Sequence, residues 1–314
     1  MNRGDWPTFY DPSKVGSRFE PNIGAAVAAG LGAGLRPVRK NDVQRLAFFI
    51  DFQCDFTDFP GEPGTLSVPG TVGDITRTIE WLYSNAEYLT GLMISLDQHL
   101  PYQIFYPTWW IGPNPDKPGE MMHPNPFTLI TAADVKDGKW SPIYEADWSK
   151  EYVNDLGAFM IWPFHCMIGT PGAALVPALA EAIAFVAAAR RIQPMYIFKG
   201  SVPKTEHYGP FAPCKLVTDH PQGGVNTVML DAISRYQEIY VAGEAFQYCV
   251  ATGMRQTIEH YEKTGQVDVL KRIRFLNDCT SPVQPFTDAE RKAIEDEYRG
   301  KGIQLIRSTD QLAV

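Results

Sequence analysis

The stretch EIYVAGEAFQYCVATGMRQTIE, residues 238–259, decides the fold. Ile239, Tyr240, Val241 and Ala242 make a continuous apolar run, the pattern of a strand buried on both faces. Residues 243–247 break that run, and Cys249 opens a segment whose apolar residues Val250, Met254 and Ile258 fall on one face of a helix. Strand, tight turn and helix together read as one unit of an α/β fold. A thiol in the first helical turn stands at the positive end of the helix dipole, beside backbone N–H groups that lack intrahelical partners. Such a setting lowers a thiol pKa and offers donors to a developing oxyanion, which makes Cys249 the candidate nucleophile. The competing reading is a buried, inert cysteine.

Working outward, the same pattern recurs. Upstream lie LAFFID (46–51), GLMISL (91–96) and MYIF (195–198); downstream lie RIRFL (272–276) and a short apolar run at 303–306. Between them fall helical stripes at Ile75, Ile79 and Leu82, an alanine-rich helix over 173–190, a helix over 225–236 and a charged helix over 288–298. Strands alternating with helices predict a parallel sheet covered on both faces. Residues 100–157, rich in proline and tryptophan, are too long for a plain connection and read as an insertion covering a site. Residues 1–44 read as an amino-terminal extension to a domain over 45–314, with GAAVAAGLGAGL (24–35) either a short helix or a linker.

Composition narrows the function. Over 314 residues the chain is 45% hydrophobic and 20% charged, ordinary for a globular protein, and its net charge of -8 without a Lys/Arg block excludes a nucleic-acid footprint. No run approaches the roughly 18 apolar residues that span a bilayer, and the first 21 residues lack the apolar core of a signal peptide, so a cytoplasmic protein is expected. Five scattered cysteines without a CxxC pair indicate neither a disulfide framework nor a thiolate zinc site.

Ligand sites of open α/β sheets gather at the carboxyl ends of strands, and those ends here offer Asp51, Asp97 with His99, Lys199 and Cys249. A cysteine nucleophile needs a base and charge balance; Asp51 fits the first need and Lys199 the second. His207, His220 and His260 have no sequence feature that ties them to Cys249. Cys166 is a rival thiol because it adjoins His165, but it lacks the strand-turn-helix setting. Asp97, His99 and His165 form a plausible set for zinc, iron or manganese, against the plainer reading of a capped loop and a satisfied buried histidine. Gln103, Glu120 or His123 are candidates for a further ligand.

The residues that carry this chemistry also form motifs: Asp51-Phe52-Gln53-Cys54-Asp55-Phe56, Asp97-Gln98-His99, Trp162 to Cys166 followed by Gly169 to Ala173, Lys199-Gly200, and Gly243 to Val250. In order and content the chain resembles the nicotinamidase branch of the isochorismatase-like cysteine hydrolases over about residues 45–280. The resemblance implies a three-layer α/β/α sandwich with a six-stranded parallel sheet and a catalytic Asp51, Lys199 and Cys249 triad. It further implies a cis peptide between Glu244 and Ala245, an oxyanion hole from the N–H groups of Ala245 and Cys249, and a divalent transition metal on Asp97, His99 and His165. Four positions depart from the family pattern: Gln103 stands where a histidine or glutamate is usual, Cys54 where asparagine is, and Phe246-Gln247 where Thr-Asp is.

The expected activity is deamidation of a small heteroaromatic amide such as nicotinamide, with Phe56, Trp109 and Tyr208 as pocket residues and a homo-oligomer as the assembly. Alternatives are a metal-free hydrolase of a carbamoyl or vinyl-ether substrate and a catalytically silent binding protein.

Overall fold

The computed structural model of the chain describes residues 6–310 and Leu312. Residues 1–5 of the extension, and Gln311, Ala313 and Val314 of the domain, lie outside the described residues. Six strands form one sheet: β1 (Arg45–Ile50), β2 (Gly91–Asp97), β3 (Met195–Lys199), β4 (Glu238–Gly243), β5 (Ile273–Leu276) and β6 (Gln304–Ile306). Their order is β6-β5-β4-β1-β2-β3 and every pairing is parallel. Parallel neighbours require long crossovers. The helices are α1 (Ile23–Gly32), α2 (Thr71–Asn85), α3 (Pro177–Arg190), α4 (Thr227–Ile233), α5 (Ala251–Lys263) and α6 (Asp288–Gly300).

The unbroken apolar runs follow from burial on both faces. In β1, Leu46, Phe48 and Ile50 join one core with Met254 and Ile258 of α5 and Ile294 of α6, whereas Ala47 and Phe49 join the other with Ile75 and Ile79 of α2 and Leu179 and Ile183 of α3. Each such side chain larger than alanine stabilises the fold by about 1.5–3 kcal/mol when fully buried, so the central strand is held by both layers at once. The three-layer sandwich and six-stranded parallel sheet expected from the sequence are present.

The extension is part of this body. Residues 24–35 are helical over most of their length, α1 being capped by the Asn22 side chain, which accepts from the Ala25 N–H. It lies so close to α3 that a Cβ on Gly30 would stand 2.3 Å from the Phe185 carbonyl oxygen. Tyr10 packs on Tyr83 with ring centroids 5.2 Å apart, and Phe9 packs on Phe185 at 6.0 Å. The insertion is folded too. Trp110–Pro113 pairs antiparallel with Met121–Met122 and Ser141–Pro142, a helix covers Ala146–Leu156, and Leu129–Thr131 pairs with Ala158–Met160. Its Phe105, Trp110, Tyr152 and Phe159 enter the α5-side core, which extends that core towards the sheet's carboxyl edge.

Candidate active site

Register assembles the site. β2 and β3 place Asp97 opposite Lys199, while Ile50 of β1 lies opposite Ser95 on one side and Gly243 on the other. Residues that end four strands therefore meet at one edge, the usual place for ligands in such sheets. The approach is tight at Gly243, where a Cβ would come within 2.6 Å of Ile50. Three of the non-glycine residues with left-handed backbone, Asp51 (φ 56), Cys166 (φ 47) and Ala245 (φ 56), cluster here. Such residues cost of order 1–3 kcal/mol and persist where surrounding structure overrides the strain.

At the centre is a buried ammonium. Lys199 Nζ lies 2.9 Å from Asp51 Oδ2, donates to Asp97 Oδ1 at 2.5 Å and stands 3.8 Å from Cys249 Sγ. Its third direction is met by the His207 carbonyl oxygen at 3.1 Å. Burial lowers the Lys199 pKa, but Asp51 and Asp97 outweigh it and hold the group well above the ordinary range. Burial raises Asp51 against the pull of Lys199, and Ser95 Oγ donates to its other oxygen at 2.7 Å. Asp97 is also penalised by burial, yet Lys199 and His99 hold its carboxyl below the usual range. The two carboxylates thus divide: Asp97 stays ionised, and Asp51 is the better proton acceptor.

The expected lowering of the Cys249 pKa is not what the site produces. Burial, with the Asp51 and Asp97 carboxylates, pushes the thiol well above its ordinary value despite Lys199, because the sulfur is enclosed among charges of both signs. A nucleophilic thiolate here requires the thiol proton to move to a base, and the Asp51 carboxylate lies within 4.8 Å of the sulfur.

The turn before Cys249 also corrects an expectation. The Glu244–Ala245 peptide is trans; among the described residues the cis bond is Gln284–Pro285. The chain reverses instead through the left-handed conformation of Ala245 (φ 56, ψ 59), which ends β4 and starts a π-helical turn, Phe246–Val250, ahead of α5. Cys249 sits in that wider turn. The Ala245 N–H has no acceptor among the described residues, whereas Phe246 N–H donates to Ser281 O at 3.0 Å and the Gln247 carboxamide binds both backbone groups of Val283.

Asp97, His99 and His165 are brought together, each buried and with one ligand atom per residue within 4.8 Å of the others. His99 Nδ1 lies 3.0 Å from Gly200 O and His165 Nδ1 lies 2.8 Å from Pro163 O. A carbonyl partner requires Nδ1 to carry the proton, which leaves each Nε2 lone pair for a ligand role, the second-shell arrangement of metal-binding imidazoles. The donor set fits a divalent transition metal. Asp51, Asp97 and Cys249 form a second close group, but the Lys199 ammonium fills it.

Gln103 does not extend the ligand set: its carboxamide donates to Gly200 O and Val202 O and accepts from the Leu100 N–H. Glu120 pairs with Lys117, and His123 faces Trp110 O from within the insertion. Neither joins the trio.

A cavity of about 20 Å³, room for about one water molecule, opens on these groups; it is lined by Phe56, Asp97, Trp162, His165, Glu206, Tyr208, Ala245, Tyr248 and Cys249 among others. Phe56 and Tyr208 line it as expected. Trp109 does not: its indole is buried in the insertion and donates to Ser149 Oγ at 2.9 Å. Cys166 lies outside the cavity, and its N–H donates to Asp55. Sequence reasoning missed Ser95, whose hydroxyl in an apolar strand was a visible signal, and Glu206, which sits in an irregular loop and gave none. Burial raises the Glu206 pKa to about 7.

No family model and no curated protein sequence matches the chain. Solved structures do. The yeast nicotinamidase bound to the inhibitor nicotinaldehyde aligns with a TM-score of 0.55 at 17% identity, over 84% of this chain and 99% of that one. The chain carries the nicotinamidase fold. An Acinetobacter baumanii nicotinamidase aligns with a TM-score of 0.52 at 18% identity, over 87% of this chain and all of that one. Coverage of both of those chains is nearly complete. No helix among the described residues is long and apolar enough to cross a membrane.

Proposed function

We propose that the chain is a cysteine amidohydrolase that deamidates a small planar heteroaromatic amide, nicotinamide first among candidates. The supporting observation is the Lys199 ammonium, within 2.9 Å of one carboxylate, 2.5 Å of a second and 3.8 Å of a thiol on a small cavity. Cys249 Sγ attacks the amide carbonyl carbon as its proton passes to Asp51. The oxyanion is met by the N–H groups of Ala245 and Cys249. Asp51 returns the proton to the departing nitrogen and ammonia leaves; water, deprotonated by Asp51, then attacks the thioester, the C–S bond breaks to release the carboxylic acid, and Asp51 gives the proton back to the Cys249 sulfur. Lys199 stays charged throughout and balances whichever of Asp51 and Cys249 is anionic.

Zinc, iron or manganese held by Asp97, His99 and His165 would supply a Lewis acid beside the cavity. The rings of Trp162, Tyr208 and Tyr248 offer flat apolar walls to an aromatic acyl group. The yeast structure's inhibitor, nicotinaldehyde, is an aldehyde counterpart of nicotinamide, which favours that ring for this pocket too.

The test is ammonia release from nicotinamide, pyrazinamide and N-carbamoyl compounds by protein of known metal content. Release from the first two, with a thioester adduct on Cys249 in mass spectra, is expected, and Cys249→Ala should abolish both. Asp51→Asn should slow acylation by about 10²–10⁴-fold. Turnover of carbamoyl compounds alone would replace the substrate class. No turnover, with Cys249 resistant to iodoacetamide, would leave a binding protein.

A further inference from the structure

Behind the catalytic lysine lies a second cavity, of about 330 Å³, whose lining includes Phe198, His207, Phe211, Gln222, Asn226 and Val228. No Asp, Glu, Lys or Arg lines it among the described residues, while aromatic, carboxamide and imidazole groups all do. With no counter-charge in its lining, the cavity favours an uncharged occupant over a charged one.

His207 gives the cavity a polar anchor. Its side chain is about 95% buried, and neither ring nitrogen has a hydrogen-bond partner. Burial first, and Lys199 next, lower its pKa to about 3, so at neutral pH the ring offers one donor and one acceptor. Buried donors and acceptors of this kind are rarely left unpaired.

The residue is also placed to report occupancy. Its carbonyl oxygen accepts from Lys199 Nζ at 3.1 Å, and its neighbours Glu206 and Tyr208 line the catalytic cavity. The three residues form a wall with one cavity on each side. We propose that the second cavity binds a small, uncharged, planar molecule bearing both a hydrogen-bond donor and an acceptor, an aromatic carboxamide being the type, and that its occupancy changes the reactivity of Cys249 through residues 206–208. The proposal does not depend on which reaction Cys249 performs.

Benzamide is the probe. Its binding to the metal-loaded full-length protein is followed by calorimetry, and the rate of Cys249 alkylation by iodoacetamide is measured with and without it. Gly224→Trp plugs the cavity without a clash at its base, since a Cβ there meets nothing within 4 Å. Val228→Trp, on an exposed rim residue, is the second plug should the first disturb folding.

One more class of benzamide site is expected in the parent than in the plugged protein, and that class should be weakened about tenfold by His207→Ala. Alkylation should respond to benzamide in the parent beyond the protection that persists in Gly224→Trp. Equal stoichiometry and equal alkylation in the parent and both plugged variants would overturn the site. A second class lost on plugging without any change in alkylation would overturn the coupling.

Discussion

Glu244 is a carboxyl group enclosed at the turn that precedes Cys249. Neither oxygen has a hydrogen bond of normal geometry, and burial followed by the Asp74 carboxylate pushes its pKa well above 4.5, against a weak backbone contact from Ser281. The fold favours the protonated form. Its contribution is therefore fully present below pH 4.5 and is lost as pH rises through the folded-state pKa. Glu244→Gln keeps the shape without the titration, so it should be more stable than the parent at pH 8 by about 1–2 kcal/mol, with the gain vanishing towards pH 4. Urea melts of both proteins across that range check the sign; a constant difference would mean that Glu244 does not titrate in the fold. Lys199 is the opposite case, a buried charge with two carboxylates, a carbonyl oxygen and a thiol around it. Lys199→Met should leave Asp51 and Asp97 facing each other without a cation and slow Cys249 acylation by orders of magnitude, read as loss of the adduct.

Strand ends carry the next level. The Gln53 side chain accepts from Asp97 N–H at 2.6 Å and donates to Asp97 O and Ala173 O, each at 2.8 Å, so one carboxamide joins β1, β2 and the turn before α3. Gln53→Leu fills the space but orphans three buried backbone groups, at about 1–3 kcal/mol each before relaxation. It should also let Asp97 drift and weaken metal binding. Zinc should raise the parent's melting temperature, as any ligand of the native state does. The rise should be smaller in Gln53→Leu and absent in His165→Ala; an equal rise in His165→Ala would remove that histidine from the ligand set. These elements were also the legible ones. The strands LAFFID, GLMISL and IYVA announce themselves because burial on both faces leaves no polar alternation, and the residues that end them are the site. The insertion was opaque because its strands, such as Met121–Met122 and Ser141–Pro142, are too short for any period. The helix expected from 173 begins at Pro177, since residues 171–173 form a 3-10 turn whose last carbonyl serves Gln53. Glu206 and the His207 carbonyl were invisible for a related reason: tertiary structure, not local pattern, brings a loop residue to a pocket.

The whole molecule is larger than its sandwich. The extension lies on the α2 and α3 side, where Trp6, Phe9 and Tyr10 cover Tyr83 and Phe185, and Arg18 reaches the Cys54 carbonyl oxygen at 3.4 Å within the motif at 51–56. Its removal would expose rings now sealed in the core: Tyr83 is wholly buried, and Phe185 is 2% exposed. At roughly 25 cal/mol per Å² of apolar surface, returning two such rings to water costs several kcal/mol, a large share of the usual margin of 5–15 kcal/mol. Deletion of residues 1–36 should therefore lower the melting temperature by ten degrees or so and raise dye binding to exposed apolar surface. Gly30→Val should reproduce part of that loss, because its side chain would press on the Phe185 carbonyl and lift α1 from α3. Cys249 alkylation reads the site separately. The triad hangs on β1, β3 and the β4–α5 turn, so its rate should stay near the parent's at temperatures where the truncated chain is folded. If the truncated protein melts with the parent, the extension is an ornament on the surface. If it loses Cys249 reactivity while still folded, the Arg18 contact to Cys54 is the link through which the extension shapes the first motif.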